Sequence, residues 1–192
     1  MEEAQAFCDK LGFPVIVKPD NGVGASNTWK LQSKDELRAK YQEVISRYPS
    51  CHFIMEEFVP GHIETFAGIV NAEGKVLFFT GQVMKATPLA QLQGTGENVS
   101  YTQPVEQMED LRETGLRTVE AFGVRNRFFH FEFFRLDEAK RGLGKQGDII
   151  GLEVNMGAQV FIVWIHPQWR YVGAEDPNLF AEVEAELLRL AQ

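Results

Sequence analysis

The stretch Phe128–Leu136, Phe-Phe-His-Phe-Glu-Phe-Phe-Arg-Leu, constrains the fold more than any other part of this chain. Successive side chains of a strand point to opposite faces. His130, Glu132 and Phe134 therefore share one face, and Phe129, Phe131 and Phe133 share the other. A returning strand, Asp148–Asn155, follows the basic, glycine-bearing turn Glu138–Gly147 and puts Glu153 and Asn155 on a common face. Carboxylates brought close together on paired strands repel unless a cation or a proton lies between them. With an amide oxygen beside them they form a hard, all-oxygen donor set that suits Mg2+, which completes its shell with phosphate and water. The competing reading leaves Glu132 and Glu153 as solvated carboxylates on the outer face of a two-layer sheet.

Two units precede and surround this hairpin. In residues 1–58, Ala4, Phe7, Cys8 and Leu11 give a helical stripe stopped by Gly12, and Val15, Ile16 and Val17 form a β-branched strand ended by Pro19. Thr28–Leu31 is a return strand. Ser33-Lys34-Asp35-Glu36 is a capping box that opens a helix with the stripe Leu37, Tyr41, Val44, Ile45 and Tyr48, and His52–Glu57 is another strand. The composition shift at Val59-Pro60-Gly61 marks the boundary to a larger unit, 59–192. There Ile63–Val70 and Lys75–Met84 form a hairpin through Asn71–Gly74, and Thr87–Gln103 is a polar, turn-rich candidate mobile loop. Met108, Leu111, Leu116, Val119 and Phe122 mark a helix. Asp176-Pro177 opens a last one carrying Leu179, Val183, Leu187 and Leu190. The fold class is α+β with mostly antiparallel sheets.

Composition removes several function classes. With 192 residues, 44% hydrophobic and 24% charged, the chain has an ample core and is too apolar for disorder. A net charge of −8 repels a phosphate backbone, so no nucleic-acid partner is expected. No apolar run of about 18 residues exists, so no membrane span is expected either. The acidic start lacks the layout of a signal peptide, and Cys8 and Cys51 read as buried free thiols; both point to the cytoplasm.

Two further segments carry chemistry. Lys18 ends an apolar strand and precedes Asp20–Asn27, where Gly22 and Gly24, with Ala25 and Ser26, let backbone N–H groups approach phosphate oxygens; Lys18 would add a point charge. The spacing matches neither a Walker A loop nor a dinucleotide fingerprint, and taken alone an ordinary hairpin turn explains it better. In Glu56-Glu57-Phe58-Val59 an extended linker can present its backbone to the edge of an adenine. Glu57 and Glu64, taken singly, read as solvated carboxylates.

The ordered set resembles one family, the ATP-grasp superfamily of acyl-phosphate-forming ligases, which includes carboxylate–amine ligases, biotin carboxylases and carbamoyl-phosphate synthases. The matching stretches are Gly12–Pro19, Asn21–Asn27, Glu56–Val59 with Glu64, Glu132, and Glu153-Val154-Asn155, over roughly residues 5–157. The resemblance implies two α+β subdomains clasping a nucleotide, with 1–58 the smaller, lid-like one. It makes Lys18 the nucleotide lysine, the loop holding Gly22, Gly24, Ala25 and Ser26 the phosphate flap, Glu57 with Phe58 and Val59 the adenine hinge, and Glu64 the ribose carboxylate. It makes Glu132, Glu153 and Asn155 the ligands of Mg2+, or of Mn2+ in its place. The implied activity is the activation of a small-molecule carboxylate by ATP for attack by an amine or similar nucleophile. Two departures stand out: Gly157 occupies the place of an arginine, and no preceding domain is present. The chain is thus expected to be a weakly active or purely nucleotide-binding fragment, completed by a missing N-terminal domain or by a homo-oligomer, with a divergent segment after about 157.

Overall fold

The computed structural model describes residues 1–21, 25–84, 89–90, 100–102, 108–156, 161–165, 168–172 and 185. The chain divides into two compact units, Met1–Pro60 with Ala86–Asn98, and Gly61–Lys85 with Val99–Gln192.

The first unit packs two helices on one face of a three-stranded antiparallel sheet. Helix α1 (Glu2–Leu11) ends at Gly12, whose φ of 83° is left-handed backbone that glycine adopts without strain. Strand β1 (Val15–Pro19) lies between β2 (Trp29–Leu31) and β3 (Phe53–Glu57), in the order β2-β1-β3. Val15 and Val17 point into a core with Cys8, Leu31 and Leu37, so Ile16 and Lys18 face the other way. Helix α2 (Lys34–Arg47) starts at the expected cap: Ser33 Oγ accepts the Glu36 N–H at 3.2 Å. Glu36 returns its carboxylate to the N–H of Gln32 at 2.8 Å, one residue before the cap. The expected α2 stripe narrows to Leu37, the helix's one buried side chain, and Ile45 is 52% exposed. Cys8 is buried as expected, whereas Cys51 is exposed, because it sits in the polar turn before β3.

The second unit is built on a five-stranded antiparallel sheet of order β6-β5-β4-β7-β8, from β4 (Gly61–Val70), β5 (Val76–Met84), β6 (Ser100–Thr102), β7 (Arg127–Leu136) and β8 (Ile149–Asn155). Strand β6 is a correction to the sequence reading: the end of the Thr87–Gln103 loop adds to the sheet edge, and most of the remaining loop lies outside the described residues. Beyond 157, β9 (Phe161–Ile165) and β10 (Gln168–Val172) pair antiparallel in a separate ladder; apart from position 185, the expected last helix lies outside the described residues.

Helix α3 (Glu109–Ala121) covers one face of the large sheet, over Phe66, Phe129, Phe131 and Phe133. Its buried stripe is Leu111, Gly115 and Val119. Leu116 is only half-buried, and Phe122 is 58% exposed at the C-terminal cap. Gly115 is there because a Cβ at that position would overlap the ring of fully buried Phe66. Gly115→Ala is therefore expected to lower the melting temperature. Overpacking costs about 1–3 kcal/mol, against a gain of about 1 kcal/mol in helix propensity. Gly151→Ala, with open space around its Cβ, is the control. An equal or raised melting point for the Gly115 variant would show that the ring relaxes freely.

The β7–β8 ladder pairs His130 with Asn155, Phe131 with Val154 and Glu132 with Glu153, then shifts so that Phe133 pairs with Gly151. Leu152 is the extra residue of a β-bulge.

Candidate functional site

In the first unit, β1 delivers Lys18 to the sheet face opposite the helices, where Nζ forms a 2.8 Å ion pair with Glu56. On the same face Lys30 stacks its ammonium 3.5 Å from the centre of the Phe58 ring. Ala25 and Asn27 both adopt left-handed backbone, with φ of 59° and 55°, and the Tyr48 hydroxyl ties Asn27 Oδ1 at 3.1 Å. Ser26 beside them is exposed, while Gly22 and Gly24 lie outside the described residues. Glu57, Phe58 and Val59 are half-buried at the end of β3 and just past it.

In the second unit the ladder brings four of the singled-out side chains onto one face. Glu132 stands opposite Glu153 and His130 opposite Asn155, while the three phenylalanines fill the other face. Cross-strand neighbours of this kind have Cβ atoms about 4.5–5.5 Å apart. Around Glu132 the face is not solvated: its side chain keeps 15% exposure, His130 keeps 14%, and Thr65 across β4 keeps 2%. Glu153 is exposed. His130 Nδ1 and Asn155 Nδ2 are buried without a hydrogen-bond partner among the described residues. Nδ1 lies 3.7 Å from Glu132 Oε1, too far for a hydrogen bond. Burial pushes the imidazole pKa down from 6.5, against the pull of Glu153.

Among the described residues no three His, Cys, Asp or Glu side chains form a ready-made cage. Mg2+ does not require one, since it is held by one or two carboxylates with water and phosphate. A facing carboxylate pair with an amide beside it fits that requirement.

Glu64 stands elsewhere. It is 5% exposed on the helix-covered face, and Arg135 grips both its oxygens, Nε to Oε1 at 2.7 Å and Nη2 to Oε2 at 2.8 Å. The same guanidinium binds Asp110, in the first turn of α3, at 2.7 and 3.1 Å and donates to the Gly147 carbonyl at 2.8 Å. These bonds hold the Asp110 carboxyl below its usual range. His62 adds a 2.7 Å contact from Nδ1 to Asp137. Arg135 did not stand out in the sequence, yet parity carried the signal: it falls on the phenylalanine face of β7, and an inward charge there demands a buried counter-ion. A cavity of about 440 Å3 between Phe79, Arg112 and Arg125 holds none of the predicted residues.

Among solved structures, the chain resembles the N5-carboxyaminoimidazole synthetase of Staphylococcus aureus complexed with ADP, at a TM-score of 0.59 and 12% identity over 80% of this chain and 37% of that one. It also resembles the biotin carboxylase domain of Hydrogenobacter thermophilus 2-oxoglutarate carboxylase, in complex with MgADP and bicarbonate, at 0.58 and 18% over 83% and 34%. This is an ATP-grasp fold. No family model matches. Two curated proteins are similar to this chain in sequence. The formate-dependent phosphoribosylglycinamide formyltransferase of Synechococcus elongatus is 29% identical over 69% of the chain and 34% of the relative. The arginine-specific carbamoyl phosphate synthase large chain of Geobacillus stearothermophilus is 21% identical over 65% and 12%. The chain thus spans about a third or less of the length of these proteins. Among the described residues no helix is long and apolar enough to cross a membrane.

Proposed function

We propose that this chain is an ATP- and Mg2+-dependent ligase module that activates a small-molecule carboxylate as an acyl phosphate for attack by an amine or similar nucleophile, in the cytoplasm. The observation that carries the reading is the facing pair Glu132 and Glu153 beside Asn155, on a sheet of the ATP-grasp fold. The first unit would supply Lys18 and the loop from Gly22 to Ser26 to the phosphates, and Glu57, Phe58 and Val59 to the adenine. Lys18 would exchange its Glu56 partner for a phosphate oxygen. The second unit would supply Glu132, Glu153 and Asn155 to Mg2+, with Mn2+ a substitute. The metal supplies charge neutralisation across the phosphates, and the rest of the chain's role is positioning. Glu64 would supply its carboxylate to the ribose, with Arg135 already bonded to both its oxygens. Its ribose role would have to use the lone pairs that the guanidinium leaves.

A second reading, a module that holds nucleotide without turnover, is favoured by Gly157 at the place where the resemblance expects arginine. The partners that complete the site in either reading are a further domain or a second copy of the chain.

The test is a thermal shift. ADP or ATP with Mg2+ is expected to raise the melting temperature, since a ligand at about 100 times its dissociation constant adds about 2.7 kcal/mol. Lys18→Ala should remove most of that rise. A full shift in the variant would sink the role of Lys18, and no shift in the unaltered chain would sink the function.

A further inference from the structure

We infer that His130 is a positioning residue for the metal site: its imidazole donates Nδ1–H to Glu132 Oε1 once a divalent cation draws the Glu132 and Glu153 carboxylates together. The inference rests on the functional reading above and deepens it, because no role in that reading uses His130. Three observations meet at this side chain. The ladder sets His130 opposite Asn155 and two residues along the same face from Glu132, so it borders every proposed ligand. Its Nδ1 is buried and has no hydrogen-bond partner among the described residues, a condition that calls for an acceptor supplied in another state of the site. Glu132 Oε1 lies 3.7 Å from it, short of a hydrogen bond by less than an ångström of carboxylate movement.

A bound cation would reorient the Glu132 carboxylate. Facing carboxylates stand apart when nothing neutralises them and close on a shared divalent ion. With Oε1 held by the imidazole, the Glu132 carboxylate would meet the metal in one fixed orientation. Hydrogen bonds from outside the ligand set orient metal-binding groups in this way, and their loss commonly weakens metal binding 10–100-fold. A buried histidine that merely filled space would have no such effect.

The experiment measures Mn2+ binding by electron paramagnetic resonance, with ADP present, on the full chain. His130→Leu is expected to weaken Mn2+ binding about 10–100-fold. His130→Asn, whose Nδ2–H reaches roughly where Nδ1–H stands, is expected to restore it to within a few-fold, while ADP affinity without metal stays unchanged in both. Mn2+ binding by the leucine variant equal to that of the unaltered chain overturns this inference alone. If the unaltered chain binds no Mn2+ with ADP, or if Glu153→Gln leaves Mn2+ binding untouched, the functional reading falls and takes the inference with it. Should the leucine variant fail to fold, the unaltered chain still decides. A long-range 1H–15N spectrum with Mg2+ and ADP must place the His130 proton on Nδ1, and a proton on Nε2 alone overturns the inference.

Discussion

Arg135→Met is expected to destabilise the second unit by about 3–5 kcal/mol, the usual cost of removing one partner of a buried ion pair. The loss is large because Glu64, at 5% exposure, would keep its charge with no guanidinium against either oxygen. Asp110 and the Gly147 carbonyl would lose their donor in the same step. Thermal melts should fall by on the order of 10 °C or more. Adding Glu64→Leu to Arg135→Met should recover most of the loss, since an apolar pair of similar volume commonly matches or exceeds a buried ion pair. The acid limb supplies a second check. Arg135 lowers the folded-state pKa of Asp110 from 3.8, so the contribution of that group is complete above about pH 4 and disappears as pH falls through the lowered value. Asp110 is 61% exposed, and solvent screening keeps this part small. The unaltered chain should lose more stability between pH 4 and pH 2 than a chain carrying Arg135→Met. A mild melt difference, below about 1 kcal/mol, would show that Glu64 finds another partner or takes up a proton at little cost.

The other large effect concerns turnover. With ATP, Mg2+ and a panel of small carboxylates, ADP release by the unaltered chain is expected to lie roughly 10²–10³-fold below that of a chain with a cation restored at position 157, the usual cost of one missing preorganised donor. Gly157→Arg is the direct variant. Nucleotide affinity should hardly differ between the two chains, because the donor acts on charge that develops during phosphoryl transfer and not on the ground state. Calorimetric ADP binding combined with near-background release is the expected pattern for the unaltered chain. Strong carboxylate-dependent release by that chain would mean that another cation supplies the charge and that Gly157 is no handicap.

How far the sequence could be read depended on whether a local pattern had only one way to be satisfied. The alternation around Glu132 was legible because a strand's period of two puts Phe129, Phe131 and Phe133 on one face and His130 and Glu132 on the other, whatever covers either face. The Ser33–Glu36 cap was legible because it closes within one turn. The Ile45 position was not, since a periodic apolar residue on α2 is buried only where a neighbour meets it, and sequence does not show the neighbour. Gly115 was invisible for the complementary reason: its importance lies in the Phe66 ring, about fifty residues away in sequence, that occupies the space of its missing side chain. Glu64 was legible as a carboxylate in the right order and misleading as a surface one, because its partner Arg135 sits 71 positions further on. Strand β6 escaped because it is three residues long and lies at the edge of a polar loop.

The bulge at Leu152 carries a consequence for how this hairpin tolerates change in length. Gly151 and Glu153 are two positions apart, which in an unbroken strand would give them the same face, yet Gly151 pairs with Phe133 and Glu153 with Glu132. Leu152 takes up one residue of phase between the turn and the carboxylate end. Forcing the ladder to run straight with Leu152 in place would set Glu153 opposite Phe131, against the apolar core, and would carry Asn155 to the same face. Removing Leu152 would instead leave every pair from Glu132 to His130 in register. The strand therefore holds its carboxylate in place through one residue of slack, as a spliced rope keeps its length on one side of the join whatever is added on the other.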